Sequence, residues 1–250
     1  MAEAPLLEVR DVWKAFGGVQ AVAGVRFSVY PEDMLAVIGP NGAGKTTLFN
    51  LLTGNLACDR GRIAFRGERI DGIAPHRIWR LGVGRTFQVP AVFRSLSVRE
   101  NVQAALLSGQ GRSRNMAARA SRLLVGPADA LLAQVGLLEY ADDDCGSLSL
   151  GDLKRMELAL ALAGTPSLLL LDEPTAGMSS EERGDLMTLV SRIVRERALT
   201  VLFTEHDMEV VFAAATRILV MHQGRVLVEG SPTAVREDPE VRRVYLGGLL

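Results

Sequence analysis

Apolar and polar positions change rhythm several times along this chain, and each change marks an element. Over Leu7–Val12 the two kinds alternate imperfectly, and over 25–30 ("VRFSVY") cleanly, which predicts antiparallel strands. "MLAVIG" (34–39) is instead a short continuous apolar run ending in glycine, the mark of a strand buried on both faces. Helical spacing follows: Leu48, Leu51 and Leu52 share one face of a helix starting near Lys45. "RIAFRG" (62–67) and "GVGRTFQ" (82–88) read as further short strands.

The stretch 89–147 breaks this pattern. "SVRENVQAALL" places Ser97 and Glu100 at capping-box spacing, so a helix starts there. The arginine-rich "SGQGRSRNMAARASR" reads as a solvated loop and helix face, and "PADALLAQVGLLEYADD" as one or two short helices. Residues 89–147 are therefore expected to form an all-helical insertion. From Gly151 the pattern predicts a helix over 152–163, a strand over 167–171 and a helix from about 180 to 196. A strand over 199–204, a helix from Asp207, a hairpin over 217–230 turning at Gln223-Gly224 and a short helix in "SPTAVRED" complete it. Strands alternating with helices predict an α/β fold around a largely parallel sheet.

Composition narrows the class. The 250 residues suffice for one large domain or two small ones, and the net charge of −1 argues against bulk electrostatic binding to nucleic acid. Hydrophobic content is high, at 48%. Yet the most apolar stretch, Met156–Leu171, contains Glu157 and is broken at Gly164-Thr165-Pro166, short of the ~20 continuous apolar residues a spanning helix needs. Glu3, Pro5 and Glu8 interrupt any signal-peptide pattern. Cys58 and Cys145 stand far apart without metal-ligand spacing, so a reduced, intracellular compartment and no disulfide are expected.

The chemistry concentrates in two stretches. "GPNGAGKTT" (39–47) matches the phosphate-loop pattern and lies between a buried strand and a helix, where the mechanism requires it. The glycines Gly39, Gly42 and Gly44 let backbone wrap a phosphate chain, with Pro40, Asn41, Ala43 and Thr47 completing the loop and helix start. Lys45 would reach the β- and γ-phosphates of a nucleotide, and the Thr46 hydroxyl would ligate Mg2+. The chain has only three lysines, against twenty-five arginines, so a lysine here suits a point charge that a planar guanidinium does not replace. The second stretch, "LLLLDEP" (168–174), puts two carboxylates at the end of an apolar strand, and burying an unpartnered carboxylate is costly. A metal held by Asp172, and a water polarised by Glu173 as general base, would offset that cost.

Together with "LSLGD" (148–152), "TFQ" ending at Gln88, "FTEH" ending at His206 and Phe16 about thirty residues before Lys45, these stretches resemble the ATP-binding cassette (ABC) ATPases over nearly the whole chain. The resemblance implies a phosphate-loop NTPase core with an antiparallel β subdomain (1–88 and 148–250) and an inserted α-helical subdomain (89–147). It implies that Phe16 stacks on adenine, although a core aromatic would read the same way. It gives Gln88 a contact to magnesium and water, gives His206 a contact to the γ-phosphate, and sets Ser149 and Gly151 against the ATP of an opposite subunit. Leu150 and Asp152 depart from the family's signature. Asp152 is expected to serve as a helix-start residue pointing away from phosphate, where the helix dipole favours a carboxylate. Ser179 replaces a frequent aspartate but keeps capping-box spacing to Glu182.

More finely, "GVGRTFQ", "FRSLSVRENV", "PTAGMSSEE", "TEHDMEVVF" and "VYLGG" resemble the importer ATPases for branched-chain amino acids and related amides, including urea. That implies a second cassette, two membrane-spanning permease subunits, an extracytoplasmic binding protein acting indirectly, and a peripheral place on the cytoplasmic face of the inner membrane. On this reading no room remains after the ATPase core for a regulatory domain. The alternatives are an ATPase of lipopolysaccharide export and a soluble ABC ATPase of DNA repair or the ribosome. The coiled coils or paired cassettes of the last group are not seen.

Overall fold

The structure, a computed structural model, describes residues 4–86, 91–109 and 123–246. It opens with an antiparallel pair, β1 (Leu7–Phe16) and β2 (Val19–Val29), followed by β3 (Met34–Ile38) and helix α1 (Lys45–Leu52). Next come β4 (Arg60–Phe65), β5 (Glu68–Arg69), α2 (Pro75–Arg80) and β6 (Val83–Arg85). Helices α3 (Val98–Gly109), α4 (Val125–Val135) and α5 (Leu150–Leu162) precede β7 (Leu168–Asp172). The chain continues through α6 (Ser180–Arg197), β8 (Thr200–Thr204), α7 (Met208–Ala214), β9 (Arg217–His222), β10 (Arg225–Gly230), α8 (Pro232–Glu237) and α9 (Pro239–Val241).

Two sheets result. One is antiparallel in the order β2-β1-β4-β5; the other runs β10-β9-β3-β8-β7-β6, parallel except for the β9–β10 hairpin. Every residue of β3, β7 and β8 is buried, which explains their unbroken apolar runs. Alternate side chains divide between two cores. Ala36, Ile38, Leu169, Leu171, Val201 and Phe203 face α5, α6 and the helical segment. Leu35, Val37, Leu168, Leu170 and Leu202 face α1 and the antiparallel sheet. The imperfect alternation near the N-terminus is a bulge: pairing with β2 shifts between Val9 and Val12, and Asp11 takes a φ of 51°, so Leu7, Val9 and Val12 all point inward.

The capping boxes expected at Ser97/Glu100 and Ser179/Glu182 are both formed. Three expectations need correction, and one element was not expected. The strand read over 62–67 runs instead over Arg60–Phe65, with 66 and 67 in a turn. The signature helix starts at Leu150 rather than 152, capped by Ser149. The strand expected over 82–88 is ordered as a strand only over Val83–Arg85, with 87 and 88 outside the described residues. Helix α2 was not foreseen; Pro75 at its first position fixes its start, but six residues are too few for a periodic signal.

Candidate nucleotide site

The chemistry-bearing residues follow the carboxyl ends of three neighbouring parallel strands: Gly39 after β3, Glu173 after β7, and Glu205 and His206 after β8. In open α/β sheets that edge is where ligands bind.

After β3 the loop 39–44 turns tightly into α1. Gly39 has a φ of 149°, and a Cβ there would lie 2.1 Å from the Met221 carbonyl oxygen; at Gly44, with φ 103°, it would lie 2.2 Å from that of Ala21. No side chain fits either place. The β9–β10 turn laces this loop to β2, since Gly224 N donates to Ala43 O (3.0 Å) and Ala23 N to Gly224 O (2.8 Å). Helix α1 starts without a capping side chain and without an acidic residue in its first turn, so its leading N–H groups and dipole suit an anion. Lys45 is 7% exposed, and its ammonium donates to Gly39 O (2.6 Å) and Pro40 O (3.2 Å). Burial pulls its pKa down, against the pull of Glu173 and Asp172. Asn41, Gly42 and Thr46 are exposed. A polyphosphate fits this backbone cradle.

Asp172 is 3% exposed, and the chain itself meets the cost of burying it. Arg85 Nη2 lies 3.0 Å from Asp172 Oδ2, with both side chains over 90% buried, and Thr204 Oγ1 donates to Oδ1 at 3.0 Å. Arg85 also donates to Asn50 Oδ1 (2.8 Å) of α1 and to Thr53 Oγ1 (2.9 Å), the residue that ends that helix, tying β7 to the helix behind the phosphate loop. Sequence reasoning missed Arg85, because its partner lies on a strand far along the chain. A metal is thus not needed to offset the burial of Asp172.

Glu173 is half-buried with a φ of 49°, and its N–H donates to Thr204 Oγ1 (3.0 Å) and Thr204 O (3.2 Å). Its Oε1 lies 2.8 Å from His206 Nε2. With Glu173 ionised, this bond requires the ring proton on Nε2. The structure therefore brings Glu173 and His206 together. Phe16 is 47% exposed at the β1–β2 turn, with Lys14 Nζ 5.6 Å from its ring centre, so it is no core aromatic. Gln88 lies outside the described residues. Ser149 and Gly151 sit at the start of α5, with Ser149 exposed. Its hydroxyl donates to Asp152 Oδ2 (2.6 Å) and accepts from Asp152 N (3.2 Å). Asp152 is thus the third residue of the helix rather than its first, turned back onto the cap. Among the described residues no cluster of three or more His, Cys, Asp or Glu side chains suits a metal ion. No described helix is long and apolar enough to cross a membrane.

A phosphate loop at the edge of a parallel sheet, with a glutamate–histidine pair beside it and a helical segment packed on its far face, defines a nucleotide-hydrolysing cassette. The chain belongs to the ABC transporter family, whose model matches residues 22–176. Residues 225–248 match a second model, described as branched-chain amino acid ATP-binding cassette transporter. The chain is 38% identical to the high-affinity branched-chain amino acid transport ATP-binding protein LivG of Escherichia coli K12, covering 97% of this chain and 98% of LivG. Identity and coverage are the same for BraF of Pseudomonas aeruginosa, which carries the same description. A lipopolysaccharide export system ATP-binding protein, LptB of Acidithiobacillus ferridurans, is 35% identical with 97% of each chain covered. Among solved structures, an ATP-binding cassette of an ABC transporter in its ADP conformation superposes with a TM-score of 0.85 at 29% identity, over 98% of this chain and 99% of that one. The protein is an ATP-binding, ATP-hydrolysing ABC subunit with the expected phosphate-loop fold.

Proposed function

We propose that this chain powers an importer of branched-chain amino acids or related amides, binding MgATP in a sandwich with a second cassette. The match of residues 225–248 to the branched-chain amino acid model carries the substrate class, and the similarity to LivG and BraF supports it. The similarity to LptB keeps lipopolysaccharide export as the second reading.

In this reading Phe16 offers its exposed ring to adenine, the loop from Gly39 to Thr47 wraps the phosphates, and Lys45 exchanges its bonds to Gly39 and Pro40 for phosphate oxygens. Thr46 and Asp172, with Gln88, would hold magnesium, which supplies charge neutralisation at the phosphates. Glu173 accepts a proton from the attacking water, and the Nε2–H of His206, which meets that carboxylate before ATP arrives, turns to the γ-phosphate once ATP is bound. Ser149 and Gly151 close over the ATP of the second cassette.

The helical subdomain, 89–147, would seat one of two permease subunits. A groove of about 570 Å³ between α2, α3, α5 and the end of β6 supports this, with Ile78, Trp79, Phe93, Ala104 and Ala105 in its lining. Arg85 lies in the same lining and pairs with Asp172, so the groove and the nucleotide site share a side chain. The chain would then work peripherally on the cytoplasmic face, with an extracytoplasmic binding protein delivering solute to the permease.

The test is to express the chain with the membrane subunits that co-purify with it, reconstitute the complex and measure ATP-dependent uptake of leucine and of urea. Uptake of either at a rate tied to ATP turnover supports the reading. Co-purification with lipopolysaccharide-extracting subunits, and no solute uptake, would replace it with the second.

A further inference from the structure

We propose that Glu205 is a positioning residue: its buried carboxyl group clamps the turn that carries Glu173 to the loop that carries His206. The inference rests on the reading of Glu173 as the base.

Glu173 sits in the left-handed region, at φ 49°. That conformation is unfavourable for a residue with a Cβ, and it persists only where its surroundings over-determine it. Before the turn, Thr204 takes the Glu173 N–H. Beyond it, Thr175 donates both its backbone N–H (2.8 Å) and its hydroxyl (2.7 Å) to Glu205 Oε1. Glu205 Oε2 accepts from the backbone N–H of His206 at 3.3 Å. Thr175 is 2% and Glu205 3% exposed, so water does not replace these bonds. Arg183 adds an outer staple, donating to Met178 O (3.0 Å) and pairing with Asp207.

Of these fastenings, only Glu205 bonds both the segment after the base and the backbone of the histidine that meets it. Burial raises the pKa of this carboxyl group, its three donors oppose that shift, and nearby Glu173 adds to it. An acidic side chain in so dry a place is costly unless each lone pair is used, and here the bonds it makes set the geometry of the Glu173–His206 pair. A displacement of about 1 Å in a reacting group costs on the order of a hundredfold in rate.

The experiment uses the purified full chain with Glu205→Ala, Glu205→Gln, Thr175→Val, the double variant Glu205→Ala/Thr175→Val, and Glu173→Gln as reference. Single-turnover hydrolysis, fluorescent ATP-analogue affinity, melting temperature and amide hydrogen exchange over 172–178 and 204–208 are measured. Glu205→Ala is expected to slow hydrolysis roughly 10- to 100-fold with analogue affinity held within about twofold, and to lose amide protection at Thr175. Glu205→Gln keeps the acceptor for Thr175 and should recover to within about fivefold of wild type. Thr175→Val should add nothing to Glu205→Ala, because both break the same clamp.

Hydrolysis within twofold of wild type in Glu205→Ala, while Glu173→Gln is strongly impaired, would overturn the inference. So would a parallel loss of affinity and rate, or an additive double variant. Should Glu173→Gln itself turn over normally, the base assignment fails instead, and retained protection at Thr175 in Glu205→Ala would then refute the clamp separately. If Glu205→Ala does not fold, Thr175→Val decides: slower hydrolysis at unchanged affinity supports the clamp, and an unchanged rate overturns it.

Discussion

The two ends of this molecule that face nucleotide in the proposed sandwich are built in opposite ways. The phosphate-loop end grows from the buried edge of a parallel sheet, where backbone turns, the Arg85–Asp172 pair and the Glu173–His206 contact are locked among elements distant in sequence. The signature end is the first turn of one helix. Ser149 and Asp152 bond each other there, and Leu150 stands 45% exposed. Precision at the first end comes from tertiary structure; at the second it is local, and its ligand arrives from outside. Substitutions at the first end should therefore carry large costs, and at the second small ones wherever they spare the nucleotide contacts of Ser149 and Gly151.

The largest effect is expected at Glu173. Glu173→Gln keeps shape and hydrogen-bonding reach but accepts no proton, so single-turnover hydrolysis should fall about 10²–10⁴-fold, or roughly 3–5.5 kcal/mol of barrier. ATP should still bind, and size-exclusion chromatography with magnesium and ATP should show a persistent dimer with the partner cassette. Near-normal turnover would remove Glu173 from the chemistry. Slow turnover without the dimer would undo the sandwich alone.

Arg85→Ala comes next, and it is read in stability. Removing one partner of a buried pair leaves Asp172 as an uncompensated charge, at a cost of about 3–5 kcal/mol. For a chain of this size that lowers the melting temperature by roughly 10 °C. Adding Asp172→Asn should recover part of the loss, because the buried charge goes too; a double variant less stable than Arg85→Ala would contradict this. Lys45→Ala should then weaken fluorescent ATP-analogue binding by about a hundredfold or more with little change in melting temperature, since charge-assisted bonds to phosphate are lost and packing is not. Unchanged affinity in a folded variant would remove the lysine from the phosphate site.

The same contrast governs what the sequence reveals. The phosphate loop, both capping boxes and the buried strands are legible because each is written in consecutive residues or a short period. The break in alternation at Leu7–Val12 is legible as a disturbance, but only the left-handed Asp11 shows that it is a bulge. Arg85 is not legible, because nothing near it announces a carboxylate on β7. Glu205 is hidden likewise: in "TEH" it reads as a polar strand end, and its bonds to Thr175 exist only once β7 and β8 lie side by side. Functional residues written by local backbone chemistry are found early, and those defined by a partner across the sheet are not.

The smallest effect is expected at Asp152, and it tests the signature end directly. Asp152→Gln introduces the residue more usual in the resembled family and removes an acid from the first turn of α5. The structure gives that acid a local task, since its carboxylate accepts from the Ser149 hydroxyl and lies in the positive field of the helix start. Glutamine at the third helical position can reach back in the same way, so the cap survives with a loss of about 0.3–1 kcal/mol of dipole interaction. Against that small loss stands a small gain, because a neutral amide holds the Ser149 hydroxyl less strongly than the carboxylate does, so the phosphate of the opposite cassette draws it away more easily. The two terms have opposite signs and similar size, so steady-state hydrolysis should change by only a few-fold. A rise of a hundredfold, about 2.7 kcal/mol of barrier, would mean instead that the carboxylate faces the γ-phosphate and holds the sandwich apart by repulsion. The signature end would then share the large costs of the phosphate-loop end, and the contrast drawn between them would fail.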